Sequence, residues 1–136
     1  MSRILAFDYG GKRTGIAVTD PMQMIATALG TVDTKELIAY LKTYLAKEEV
    51  ETFVVGQPFR MDGSTSDIEV EILKFIEKLK TEFPNIPIKR MDESFTSKRS
   101  MESLIASGVK KKDRRDKRLL DSVSATLILQ DYLATK

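Results

Sequence analysis

Three carboxylate positions in this chain have the surroundings that chemistry needs: Asp8, the pair Asp92-Glu93, and Asp121. Asp8 closes the apolar run Ile4-Leu5-Ala6-Phe7 and is followed at once by Tyr9-Gly10-Gly11-Lys12-Arg13-Thr14-Gly15. The run reads as a buried strand, and the glycines after it let backbone turn tightly or approach a ligand. An Asp there also caps tight turns by accepting from the next backbone N–H groups, and both roles suit Asp8 taken alone. Glu93 follows the apolar-rich stretch Ile86 to Met91, a second strand end; Asp92 is a ligand, a supporting group or a solvated neighbour. Asp121 lies four, seven and eleven positions before Ala125, Ile128 and Tyr132, which puts it on an apolar helix face. A carboxylate so placed requires a cation, several donors or a proton. Bonds to nearby serines are the bland alternative.

The composition narrows what these carboxylates can do. The 136 residues contain no Cys and no His, so thiolate, imidazole and zinc chemistry are excluded. What remains is carboxylates, Lys, Tyr, hydroxyls, backbone donors or a hard cation such as Mg²⁺ or Mn²⁺, which prefers oxygen ligands. If Asp8, Glu93 and Asp121 converge, a divalent cation would neutralise them, and a metal pair about 4 Å apart would activate water against a phosphodiester. The net charge is only +2, yet residues 110–118 hold seven basic and two acidic side chains, +5 locally, leaving −3 on the rest. That focus suits a polyanion, although most charge runs are solvated faces. Lys111, Lys112, Arg114 and Arg115 are its candidate phosphate contacts, with Lys12, Arg13 and Arg60 in the two Gly-containing loops. Phe59 and Phe95 are candidates for base stacking or simply for core packing.

The elements that must position these groups are readable from periodicity. After the first strand, Thr14–Thr19 reads as a second and Ile25–Val32 as a third, with a turn at Asp20-Pro21, which implies antiparallel hairpins. Asp33-Thr34-Lys35-Glu36 matches a capping box and opens a helix to about Glu48. Thr52–Gly56 is a buried strand. A turn at Asp62–Thr65 precedes a second capping box, Ser66-Asp67-Ile68-Glu69, and a helix with apolar stripe Ile68, Ile72, Phe75, Ile76, Leu79 and Phe83. Ile86–Met91 is a short strand, a helix is expected from Thr96 or Ser97 through Ile105 with Gly108 as its C-terminal cap, and the basic run follows as a mobile loop. The last helix spans Lys117 to Ala134. The order βββαβαβαα, in a length suited to one domain over 1–136, gives an α/β fold: a five-stranded mixed sheet, three antiparallel strands then two parallel, flanked by helices. No apolar stretch approaches a membrane span, and the first residues lead straight into a strand rather than a signal peptide, so the expected location is cytoplasmic.

Taken together, Ala6-Phe7-Asp8-Tyr9-Gly10 with Gly15, Gly56-x-Pro58-x-x-Met61-Asp62-Gly63, Asp92-Glu93 and Asp121-Ser122-x-Ser124-Ala125 resemble, over essentially the whole chain, the YqgF family of ribonuclease-H-like proteins. These are bacterial pre-16S rRNA nucleases, also described as Holliday-junction-resolvase-like. The resemblance implies that Asp8, Glu93 and Asp121 are the catalytic and metal-ligating residues and that the metal is Mg²⁺ or Mn²⁺. It further implies a structured RNA substrate, the 5′ end of the 16S rRNA precursor, with ribosomal particles as partners. Branched DNA is the alternative substrate, and a homodimer rather than a monomer would suit it. A non-catalytic RNA-binding module is a further alternative. A nucleotide-binding enzyme of the actin and sugar-kinase type ranks below these, because it needs two such domains. Gln57 stands where the family usually has Leu, and Ser94 where it has Arg. The second departure removes a planar phosphate donor, for which Lys98, Arg99 or the basic run would compensate.

Overall fold

The computed structural model describes residues 2–59, 62–93 and 116–135. Its core is one five-stranded sheet. The strands are β1 (Arg3–Tyr9), β2 (Arg13–Thr19), β3 (Ala26–Asp33), β4 (Val50–Gln57) and β5 (Ile88–Asp92). Their spatial order is β3-β2-β1-β4-β5, with β1, β2 and β3 antiparallel and β4 and β5 parallel to β1. The expected mixed sheet is therefore present. Because β4 and β5 both run parallel to β1, their carboxyl ends share one edge, where Asp8, Gln57 and Glu93 lie.

The first strand is buried on both faces from Ile4 to Phe7, which explains its unbroken apolar run. Alternate residues face opposite layers. Leu5, Phe7, Ile16, Val18, Phe53 and Val55 meet Leu37 and Leu41 of helix α1 (Leu37–Leu45) and Ile72, Phe75, Ile76 and Leu79 of helix α2 (Glu69–Glu82). Ile4, Ala6, Ala17 and Val54 meet Ala125, Ile128 and Leu129 of helix α3 (Lys117–Ala134). The α3 layer is built from small sheet residues, so this helix lies close to the strands.

Both capping boxes are absent as side-chain caps. Asp33 makes no cap bond; a 3₁₀ turn, Thr34–Glu36, leads into α1, and the Asp33 carboxylate accepts from Arg118 at 2.6 Å instead. A charged partner from another element outcompetes the local N–H. Ile68 precedes α2 without a side-chain cap, and Glu69 is taken by Arg90. Helix α1 stops at Leu45 rather than near Glu48, and β5 starts at Ile88 rather than Ile86. The turn at Asp62 forms as expected, with the carboxylate accepting from the Ser64 N–H at 2.9 Å. Helix α3 has the bounds read from sequence, and Asp116 caps it by accepting from the Arg118 N–H at 2.9 Å. As that reading has it, Lys117 and Arg118, the last two residues of the basic run, belong to α3, and Arg118 donates to the Thr31 carbonyl at 3.1 Å. The helix expected from Thr96 or Ser97 through Ile105, with Gly108, lies outside the described residues.

Candidate active site

Asp8 pairs across the sheet with Gly15, and the neighbouring register Phe7↔Val55 sets it beside Gly56 on the other side. On the α3 face, therefore, each flanking strand offers no side chain next to Asp8. Both spaces are filled from elsewhere. A Cβ on Gly15 would collide with the backbone carbonyl of Asp121, so the first half of α3 rests directly on β2. A Cβ on Gly56 would collide with Oε2 of Glu93 and approach Ile128 Cδ1 to 2.8 Å. The glycines thus let a helix backbone and a carboxyl group settle on either side of Asp8. Glu93 is held from behind by its own N–H, which donates to the Gln57 carbonyl at 3.2 Å.

The electrostatics follow from this crowding. Burial, with the charge of Asp121 added, raises the Asp8 carboxyl to about 7, against a hydrogen bond from Glu93 that lowers it. Burial first, then the charge and hydrogen bond of Asp8, raise Glu93 to about 9, with Arg90 opposing. Both carboxyls are pushed toward the protonated form, Glu93 further than Asp8, and the hydrogen bond between them lets the pair share a proton. Among the described residues, Oε2 of Glu93 is buried with no hydrogen-bond partner and lies against Gly56.

Asp121, on the apolar helix face where a carboxylate requires a partner, has one. Its Oδ2 accepts from Arg13 Nε at 3.1 Å, and its side chain is about a quarter exposed. The cation that such a group requires comes from β2. On the opposite face of the sheet, Arg90 donates through both terminal nitrogens to Glu69, at 2.9 and 2.8 Å. The same guanidinium donates to the carbonyls of Val55, at 3.1 Å, and Gly56, at 2.9 Å. Gln57 Nε2 reaches Glu69 at 3.5 Å. This clamp fixes the end of β4 at the point where Glu93 folds over it.

Among the sequence candidates, then, the structure brings together Asp8 and Glu93, with Asp121 close enough to bias Asp8 but turned to Arg13. Lys12 is exposed on the turn between β1 and β2, its carbonyl accepting from the Thr34 N–H. Phe59 is half-buried and forms a backbone bridge with Thr65. Arg60, Lys98, Arg99, Lys111, Lys112, Arg114 and Arg115, with Ser94 and Phe95, lie outside the described residues. Arg90 and Glu69 escaped the sequence reading. The signal was an arginine at an alternate position with Ile88 in a short strand, hence on an apolar face.

Among the described residues the candidate ligands are oxygen donors, and two crowded carboxyls with an orphaned oxygen match what a hard divalent cation takes. Among the described residues no group of three acidic side chains is already gathered as a cage, because Asp121 is engaged by Arg13. Asp8 and Glu93 fit such an ion as they stand, and Asp121 fits once released.

Comparison with known proteins agrees with the resemblance read from the motifs. A family model described as "RuvX: Holliday junction resolvase" matches residues 2–135. Similar curated proteins share the name "Putative pre-16S rRNA nuclease". That of Christiangramia forsetii is 53% identical over 133 residues, covering 98% of each chain. That of Flavobacterium psychrophilum is 51% identical over 136 residues, covering 100% of this chain and 99% of its own. Among solved structures, T. thermophilus RuvC in complex with Holliday junction substrate aligns with a TM-score of 0.60 over 99% of this chain and 98% of that one, at 14% identity. The fold is ribonuclease-H-like.

Proposed function

The chain belongs to the RuvX family, and from that premise we propose that it is a divalent-metal-dependent nuclease that hydrolyses phosphodiester bonds in structured RNA, processing the 5′ end of precursor 16S rRNA. The observation that carries this reading is the Asp8–Glu93 carboxyl pair, buried at the carboxyl ends of parallel strands with α3 bringing Asp121 beside it. The names of the similar proteins support the substrate. Asp8, Glu93 and Asp121 would hold Mg²⁺ or Mn²⁺. Bound there, a pair of ions supplies an activated water and a Lewis acid for the leaving oxygen.

The chain's own residues prepare the rest. The hydrogen bond between Glu93 and Asp8 keeps the two carboxyls together, in place to hold a cation. Lys12, exposed on the turn that follows Asp8, meets the RNA backbone, and the basic residues of 110–118 extend that contact. The place of work is the cytoplasm, as rRNA maturation in bacteria requires, and among the described residues no helix is long and apolar enough to cross a membrane.

The test is cleavage of a precursor 16S rRNA fragment by purified protein with Mn²⁺ or Mg²⁺. Asp8→Asn, Glu93→Gln and Asp121→Asn are each expected to lower the rate by roughly 100-fold or more, as losing a metal ligand does. Cleavage by Asp8→Asn at the wild-type rate would reject the proposal. A second reading, incision of four-way DNA junctions, is favoured by the family's description and by the junction bound to the RuvC neighbour. Symmetric incision needs two sites, hence a dimer. A four-way junction beside the precursor RNA in the same assay separates the two.

A further inference from the structure

We propose that Arg13 is a built-in counter-ion of the active site, occupying Asp121 until a divalent cation displaces it. The inference rests on the metal reading above and assigns Arg13 a role distinct from gripping substrate.

The contact joins two rigid elements. Arg13 opens β2, two residues before Gly15, and Gly15 is where the Asp121 backbone presses onto the sheet. The ion pair is thus set by the same packing that docks α3, across 108 positions of chain. Both side chains are only partly exposed, 31% for Arg13 and 26% for Asp121, unlike a mobile surface pair. Asp121 also shares its helix stripe with buried Ala125 and Ile128, so an unpaired carboxylate there would be costly.

Each negative charge of the site then has an internal partner: the Glu93–Asp8 hydrogen bond on one side and Arg13 on the other. A divalent ion entering between Asp8 and Asp121 meets the Arg13 cation at the same carboxylate. One positive charge must leave Asp121 as another arrives, because like charges a few ångströms apart repel. Arg13 therefore competes with metal rather than assisting it. The competition weakens metal binding and prevents a bare carboxylate cluster from destabilising the fold when metal is scarce.

Calorimetric titration of Mn²⁺ into wild type, Arg13→Gln, Asp121→Asn and the double variant tests this without any cleavage readout. Arg13→Gln is expected to bind Mn²⁺ roughly two- to fivefold more tightly, the scale of a partly exposed ion pair. The gain should vanish in the Asp121→Asn background, since the competition runs through that carboxylate. Equal or weaker binding by Arg13→Gln overturns the inference, because an orienting arginine would lower affinity when removed. A gain that persists with Asp121→Asn also overturns it, as a general field effect. Arg13→Lys keeps a charge without the planar Nε contact. It is expected to show a smaller gain, and it carries the test if the Gln variant does not fold; no gain at all would then reject the idea. Mn²⁺ uptake by neither wild type nor the Arg13 variants would fell the metal reading itself, and this inference with it.

Discussion

Asp8 and Glu93 together retain a proton at pH 7, and that has a measurable effect on stability. Both carboxyls are raised, from 3.8 to about 7 and from 4.5 to about 9. The folded protein therefore binds protons that the unfolded chain has released. The contribution of these two groups to stability is fully present below about pH 4 and is lost as pH rises through both folded values to about 9. In chelator, Asp8→Asn is expected to raise the melting temperature at pH 8 by about 3–8 °C, with a smaller gain at pH 5. A larger gain at pH 5 than at pH 8 would contradict the assignment. These carboxylates were legible in the sequence because each closes an apolar run, the position where parallel strands deliver side chains to a common edge. The Arg13–Asp121 pairing was not legible. Its partners are 108 residues apart, and nothing local in either stretch points to the other.

At the level of elements, two glycines and one clamp shape the site. The collision at Gly15 is with backbone on both sides, so Gly15→Ala forces α3 off the sheet; it is expected to destabilise by about 2–3 kcal/mol. Gly56→Ala meets the movable Glu93 carboxyl and the Ile128 side chain, so it should lower activity more than stability. Thermal melts beside cleavage rates separate these two outcomes. Arg90 and Glu69 form a pair in which Glu69 is buried, and Arg90→Met would strand that carboxylate at a cost of about 3 kcal/mol, largely recovered by adding Glu69→Met. Denaturant unfolding of the two variants checks it. Strand order and helix α3 were readable from periodicity, whereas the two capping boxes misled. Both offered plausible local acceptors, yet Arg118 and Arg90, unseen from those stretches, claimed Asp33 and Glu69. Local pattern gives an element's existence more surely than the partners of its polar ends.

Across the whole molecule, charge is divided: −3 on most of the chain against +5 in residues 110–118. Replacing Lys111, Lys112, Arg114 and Arg115 by Ala should flatten the dependence of log K for RNA on log salt by roughly 0.7 for each phosphate no longer neutralised, while Mn²⁺ affinity stays unchanged. An unaltered slope in binding measurements across salt would place the RNA elsewhere. The order of assembly follows from a different feature, the placement of Asp121 on α3. The sheet edge with Asp8 and Glu93 is encoded by residues up to 93, but the third carboxylate arrives only with a helix that must find β2 and β3 across most of the chain. Such distant contacts form late in folding. During translation the N-terminal strands can collapse while the ribosome is still adding α3. A nascent, stalled or truncated chain lacking that helix would therefore be disarmed, and the proposed nuclease would gain its third carboxylate only once its synthesis has passed Asp121.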